Sequence, residues 1–498
     1  MDNAAQTEQA SANGHEIEQA RRVRIFAERM FARLAPELAA ERPAAMRLAI
    51  AEEALEFFSL RADPVKVRAV NAPGDASLVV VETAMPDCPF IVDSVLEYFR
   101  ARELTVRMLL HPVLHARRDA SGVLVTFEQG ASTEHAESFI HAELELAGSR
   151  ETNELIAADV LRILTEVQDA TADFAAMTAR GLQICEETAA MRELVEVRDF
   201  LRWLVQGGFV FLGYRQYRVE PHEGRAALVT ASGSSLGIMR PETRSRFAAP
   251  TPLDTMDEAL RKLLFEGPAL IVGKTRAVAE VHRRVLMDDV TLRRTDRRGR
   301  PIGFDRFVGL FTSKAYSEEA EHIPVLRAKL RELIEAEALE PGTHDYKALV
   351  AAFNGFPKEE LFRAKTAELR QQLRLVLDVE SEADVRVSLE SDPVRGNVVA
   401  LVIMPRDRFS AEVRVLVQAA LARALGGKLI YYNLALGESY TARLHFCFAA
   451  PPPPAELADE LNTEIARLAR SWDDLLRERL IEKLGATQGR ELATRWLA

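Results

Sequence analysis

Cysteine is scarce in this 498-residue chain: three residues, Cys88, Cys185 and Cys447, far apart from one another. No C-x-x-C pair occurs and no histidine cluster has metal-ligand spacing, which argues against a disulfide framework or a structural zinc site. A sparse, odd set suits a reducing compartment, so a cytoplasmic location is expected. No apolar run approaches the roughly 18 residues of a membrane span. The segment Met1 to His15 is polar and rich in small residues, with no apolar stretch of a secretory leader, and is expected to be disordered. Positive charge is also in deficit. Lys and Arg total 64 against 75 for Asp and Glu, a net charge of -11. That balance argues against nucleic acid as a partner, because a phosphate backbone demands clustered cations. There are basic runs, such as Arg293-Arg294-Thr295-Asp296-Arg297-Arg298-Gly299-Arg300, which sits on a glycine-containing turn and reads as a solvated hairpin tip.

Motifs of nucleotide and acyl chemistry are absent too. Gly267-Pro268-Ala269-Leu270-Ile271-Val272-Gly273-Lys274-Thr275 has five residues between its glycines, and its middle reads as a strand, so it fails as a phosphate-binding loop. No G-x-G-x-x-G follows a strand. Ser234-Ser235-Leu236-Gly237 lacks the flanks of a nucleophile elbow. His111, His115, His141, His282 and His445 fall in expected strands or at their edges, and read as structural. Asp288 and Asp289 are adjacent on a strand, so they point to opposite faces and do not form a carboxylate dyad.

What is present is 48% hydrophobic residues, enough for sizeable cores, over a length that suggests about three domains. Helical spacing runs from Glu16 to Leu60, interrupted at Pro36 and Pro43. Ser77-Leu78-Val79-Val80-Val81-Glu82-Thr83 is a buried strand, broken by Met85-Pro86-Asp87-Cys88-Pro89. A helix with Val92, Val95, Leu96 and Phe99 on one face follows, then strands over 105–116, 123–127 and 139–144, then a long helix over 151–179. This predicts an α+β unit with an antiparallel sheet and helices on one face. A second sheet follows Gly207-Gly208, with strands at 209–214, 225–231, 269–274, 285–294 and 304–312 and a short helix at 252–264. Helical periodicity returns from Ile323 to Leu377 with breaks at Pro341-Gly342 and Pro357. A third unit has strands at 397–403, 428–433 and 441–448, a helix through Val413, Leu416, Val417, Ala420 and Leu421, and a helix after Pro451 to Pro454 that runs to about Leu484.

The first and third units echo one another. Met85-Pro86 and Met404-Pro405 both end a buried strand. Phe90 and Phe409 lie five residues after the Met, and Asp93 and Glu412 eight after it. Two copies of one supersecondary unit are expected. Each junction leads from a strand into a helix start, where unsatisfied N–H groups and the positive dipole end favour anions. Two readings stay open there: Asp87 and Asp407 cap their helices, or the junctions hold a ligand or a subunit contact. Pro86 and Pro89 lack N–H donors, while Arg406 and Arg408 suit an anion or an intersubunit ion pair.

Five stretches carry a family resemblance: Met85 to Val95, Phe211-Leu212-Gly213-Tyr214-Arg215, Phe307 to Tyr316 with Ile323-Pro324, Phe353 to Phe362, and Arg406-Asp407-Arg408-Phe409-Ser410. In sequence and order they are similar to the N-terminal region of the large bacterial NAD-specific glutamate dehydrogenases. The resemblance implies an α+β fold with two ACT-like β-α-β-β sandwiches flanking an antiparallel PAS-like sheet domain, joined by helical segments. Expected boundaries are 1–70 for the tail and first helices, 71–180 and 384–498 for the ACT-like domains, 190–322 for the PAS-like domain and 323–380 for the connector. It further implies a regulatory and assembly role beside a catalytic part that deaminates glutamate with NAD. Neither the Gly-rich lysine motif nor the Rossmann segment of that part occurs in these residues, so no catalytic or cofactor-binding residue is carried over, and the chain by itself is expected to be inactive. Expected partners are further copies of the chain, an amino-acid effector and a separate catalytic half. Asp87, Cys88, Asp93, Arg406, Asp407 and Arg408 are the candidate effector or interface residues. A stand-alone amino-acid-sensing or scaffolding protein is the alternative.

Overall fold

A computed structural model describes residues 18–128, 135–241, 243, 247–382, 384–436, 441–470 and 472–497. The expected disordered segment Met1 to His15 lies outside the described residues. Helices and antiparallel sheets alternate along the chain as separate layers, an α+β arrangement.

The first sheet has six strands. Asp75–Pro86 and Ala136–Glu145 pair at its centre. Lys66–Ala72 forms one edge. Val106–Leu110 and Val113–Arg118 follow one another along the other side of Ala136–Glu145, with Leu124–Phe127 outermost. The two central strands are buried almost continuously rather than alternately, because both faces of the sheet are covered. This corrects the expectation of helices on one face. On one side Val79, Val81, Ile140 and Leu144 pack against Val95 and Phe99 of helix Ile91–Ala101 and Ile156 and Val160 of helix Arg150–Ala172. On the other, Ala84, Met108 and Phe139 meet Phe26 of the helix at 18–30 and Phe58 of helix Ala44–Ser59. The rings of Phe26 and Phe58 approach Phe139 edge-on at 5.3 and 5.9 Å. Each buried ring stabilises this second layer by about 1.5–3 kcal/mol.

The middle sheet has seven strands. Its long members run in the order Arg225–Thr230, Phe209–His222, Pro301–Phe311, Leu286–Thr295, Leu270–Val278. Gly207, at φ 98, ends the preceding helical segment where the sequence predicts a stop. The basic run is a hairpin turn as expected: Asp296 accepts from the backbone N–H groups of Arg298 and Arg300 at 2.8 and 3.0 Å. Gly273 and Lys274 sit within a strand, so the phosphate-loop look-alike is a piece of sheet.

Four helices, Leu326–Ala336, His344–Asn354, Lys358–Arg363 and Thr366–Glu382, connect to the last sheet. That sheet runs Arg386–Asp392, Asn397–Pro405, Thr441–Ala449, Lys428–Ala435. Its topology repeats the first: an edge strand, a hairpin into a central strand ending in Met-Pro, a helix, an outer strand, and a return beside the centre. Met85 lies opposite Ser138, and Met404 opposite Ala442. One face of this sheet packs on helices Ala411–Leu425 and Leu457–Leu468, and the other, through Leu401 and Ile403, on the connector. The single terminal helix predicted to Leu484 is two, Leu457–Leu468 and Trp472–Leu484, and Ala486–Leu497 follows. No helix among the described residues is long and apolar enough to cross a membrane.

Candidate functional site

The two strand-to-helix junctions differ in their details. Helix Ile91–Ala101 starts at Phe90, which holds φ 75 and offers no side-chain cap. Helix Ala411–Leu425 is capped by Ser410, whose Oγ accepts from Val413 N at 3.2 Å. The capping reading of Asp87 and Asp407 is therefore wrong. Asp87 is exposed and contributes its backbone N–H to Ala136 O at 2.9 Å. Asp407 is exposed within the short turn Arg406–Arg408, beside exposed Arg406 and half-buried Arg408. Cys88 is half-buried, and burial pushes its thiol pKa up against an opposing hydrogen bond to Thr171.

Asp93 makes a contact that reaches across the molecule. Its Oδ2 lies 3.1 Å from His282 Nδ1, His282 N donates to Ser94 Oγ at 2.9 Å, and the His282 and Phe90 rings stand 4.8 Å apart. His282, expected in a strand or at a strand edge, sits in a left-handed turn at φ 68 between two strands of the middle sheet. The first junction is thus seated on the middle domain of the same chain.

A buried polar cluster lies between the first sheet and its N-terminal helices. His141 Nδ1 is 2.8 Å from Glu82, its partner across the strands, and Nε2 is 3.7 Å from Glu143. Arg42 pairs with Glu143, and Arg68 with Glu82 at 2.6 Å. Burial opposes a charge on His141, but the two carboxylates outweigh it and its pKa is raised. The cluster borders a cavity of ≈ 430 Å³.

A second cluster ties the middle sheet to the connector. Lys274 Nζ lies 2.7 Å from Asp288 Oδ1, 3.5 Å from Glu359 Oε1 and 3.4 Å from Tyr316 OH. Tyr316 donates to Glu359 at 2.8 Å, and Asp288 accepts from Phe311 N at 2.9 Å. Burial raises the pKa of Asp288, with Lys274 partly offsetting it. Burial, and then the charges of Glu359 and Asp288, keep the Tyr316 phenol protonated. One residue further on, Glu360 receives Arg363 Nη2 at 2.6 Å and Tyr431 OH at 3.3 Å, reaching the last sheet. Asp289 faces the other way, onto Arg306 at 2.6 Å, as adjacent strand residues must. These groups form a charged contact between the middle sheet, the connector and the last sheet. Sequence reasoning meets Lys274 only in a failed motif, and Tyr316 and Glu359 only within longer similar stretches. Their convergence leaves no mark on local spacing.

The two repeated sheets and the helical connector fall in segments that match known domain families. Residues 26–160 match the glutamate dehydrogenase ACT1 domain, 323–382 its helical motif 1, and 386–473 its ACT2 domain. The chain belongs to the NAD-specific glutamate dehydrogenase family. It is 32% identical over 424 residues to the NAD-specific glutamate dehydrogenase of Halomonas elongata, covering 82% of this chain and 26% of that protein. For the Pseudomonas aeruginosa protein of the same name the identity is 29% over 422 residues, with 82% and 26% covered. For that of Mycobacterium tuberculosis it is 28% over 415 residues, with 78% and 24% covered. The chain spans about a quarter of the length of these relatives. The two glutamate dehydrogenase ACT domains coincide with the two sheets of repeated topology, so the internal echo reflects two domains of one kind.

Proposed function

We propose that this chain is the N-terminal regulatory and oligomerisation region of a cytoplasmic NAD-dependent glutamate dehydrogenase. The whole enzyme would oxidise L-glutamate to 2-oxoglutarate and ammonia, with NAD bound by its catalytic part. The observation that carries the reading is the succession of ACT1, helical motif and ACT2 matches along one chain. In this reading the sheet between them is a PAS-like domain, and an amino-acid effector acts on the ACT domains. Regulation requires that the effector bind two arrangements of the domains with different affinity. The Asp93–His282 and Lys274–Glu359 contacts support it, because each joins two parts of the chain through polar side chains.

The coding sequence beyond codon 498 provides the first test: a frame, continuous or shifted, encoding a dinucleotide-binding segment is expected, and unrelated sequence contradicts the proposal. The purified chain is expected to reduce no NAD with glutamate. An amino-acid effector is expected to raise its melting temperature by mass action. Absence of any shift across the twenty amino acids removes the sensing role and leaves assembly.

A further inference from the structure

Three consecutive residues of the connector, Lys358, Glu359 and Glu360, are buried or nearly so and have different fates. Glu359 is held by Lys274 and Tyr316, and Glu360 by Arg363 and Tyr431. Lys358 is 8% exposed and makes no hydrogen bond or ion pair among the described residues; the carboxylates of Glu319, Glu318 and Glu359 act on it only through their charge. It lines a cavity of ≈ 700 Å³ bounded by the middle sheet, the connector and the edge strand Lys428–Ala435. Arg283 lines the same cavity; its Nη2 donates to Phe311 O at 2.7 Å, while its buried Nε has no partner.

Burying an ammonium without an acceptor is costly, and a buried donor left unmade loses its full solvation. The two carboxylates that line the cavity are already engaged: Asp288 by Lys274 and Phe311 N, Glu359 by Lys274 and Tyr316. The remaining wall is largely apolar, with Leu286, Leu310, Phe356 and Ile430. Donors without acceptors suit an anion and not a metal ion. An apolar wall suits an anion carried on a carbon skeleton, and a planar carboxylate accepts from an ammonium and a guanidinium together. The volume falls within the range of small-molecule sites, which favour domain boundaries.

We propose that this cavity is a binding site for a small organic carboxylate, received by Lys358 and Arg283. Burial lowers the pKa of Lys358 against the charges of Glu319, Glu318 and Glu359, and a bound carboxylate would further favour the charged form. Bound there, the carboxylate touches the middle sheet, the connector and ACT2 at once. Its use in regulation rests on the function proposed above; its binding does not.

The test is calorimetric titration of the full chain with butyrate, succinate and inorganic phosphate. Saturable binding of butyrate or succinate is expected, with phosphate weaker. Lys358→Met is expected to weaken carboxylate binding at least about tenfold while keeping or raising the melting temperature, because it removes an unpaired buried charge at similar volume. Arg283→Gln reports separately and is expected to weaken the same binding. No saturable carboxylate binding, tighter binding of phosphate, undiminished affinity in both variants, or a large drop in the melting temperature of Lys358→Met each overturns the proposal. If the carboxylate binds but the whole enzyme fails to oxidise glutamate, the site stands and the family function falls.

Discussion

His141 and His445 occupy the same register position in two different sheets. His141 lies opposite Glu82, three residues before Met85, and His445 opposite Leu401, three before Met404. Both are buried on the face that packs against a helical cover. Their neighbours have diverged: Glu82 and Glu143 stand where the second sheet has Leu401 and Cys447. His141 is held between carboxylates, whereas His445 packs edge-on against Phe356 with ring centres 5.0 Å apart. One repeat sets its histidine between carboxylates, and the other beside an aromatic ring with the cations Arg443 and Arg363 near.

The two histidines should therefore couple folding to pH with opposite signs. Burial, then the charges of Arg443 and Arg363, lowers His445 to about 3 from 6.5. The folded form stays neutral while the unfolded chain gains a proton below pH 6.5, so stability is lost as pH falls. At pH 5 the loss is on the order of 2 kcal/mol. Denaturant midpoints at pH 7 and pH 5 should fall by less in His445→Leu than in the unaltered chain; equal drops would refute this.

For His141 the folded pKa is raised, so its contribution is complete below the unfolded value of 6.5 and is lost as pH rises through the folded value. His141→Gln should cost more stability at pH 6 than at pH 9. Chemical denaturation at the two pH values measures the difference, and a penalty independent of pH would show that His141 acts by packing alone.

The Lys274–Asp288 pair predicts a non-additive response. Lys274→Met leaves a carboxylate that is only 1% exposed without its cation, at a cost of about 3 kcal/mol. Lys274→Met with Asp288→Leu should recover most of that loss. Urea unfolding of the two singles and the double decides it: a double as unstable as the worse single would contradict the pairing.

The cap assignment separates two polar residues three positions apart. Ser410→Ala should destabilise by about 1 kcal/mol through loss of the bond from Val413 N. Asp407→Ala, in an exposed turn, should change stability by less than about 0.5 kcal/mol. Thermal melts of the two variants make the comparison, and the reverse order would restore Asp407 as the cap.

Legibility followed burial pattern. The central strands 77–83 and 397–403 are rich in β-branched and apolar residues and announce themselves. The edge strands Lys66–Ala72 and Arg386–Asp392 do not, because Lys-Val-Arg-Ala-Val-Asn-Ala and Arg-Val-Ser-Leu-Glu-Ser-Asp mix polar and apolar residues and lie mostly half-buried. Lys358-Glu359-Glu360-Leu361-Phe362-Arg363 reads as a solvated helix, yet in the fold Lys358 and Glu360 are buried.

By itself, the sequence determined the elements whose cause is local: strand runs, helix stops at Gly207 and Pro357, the basic hairpin tip, and the echo at Met85 and Met404. Through resemblance it also pointed to the glutamate dehydrogenase family. Only the tertiary structure decided that both faces of the repeated sheets are covered, that Asp93 meets His282, and that Lys274, Tyr316 and Glu359 converge. Local elements follow from steric and hydrophobic periodicity within a few residues. The charged sites depend on which groups distant segments withdraw from water, and that cost is set only when the layers close.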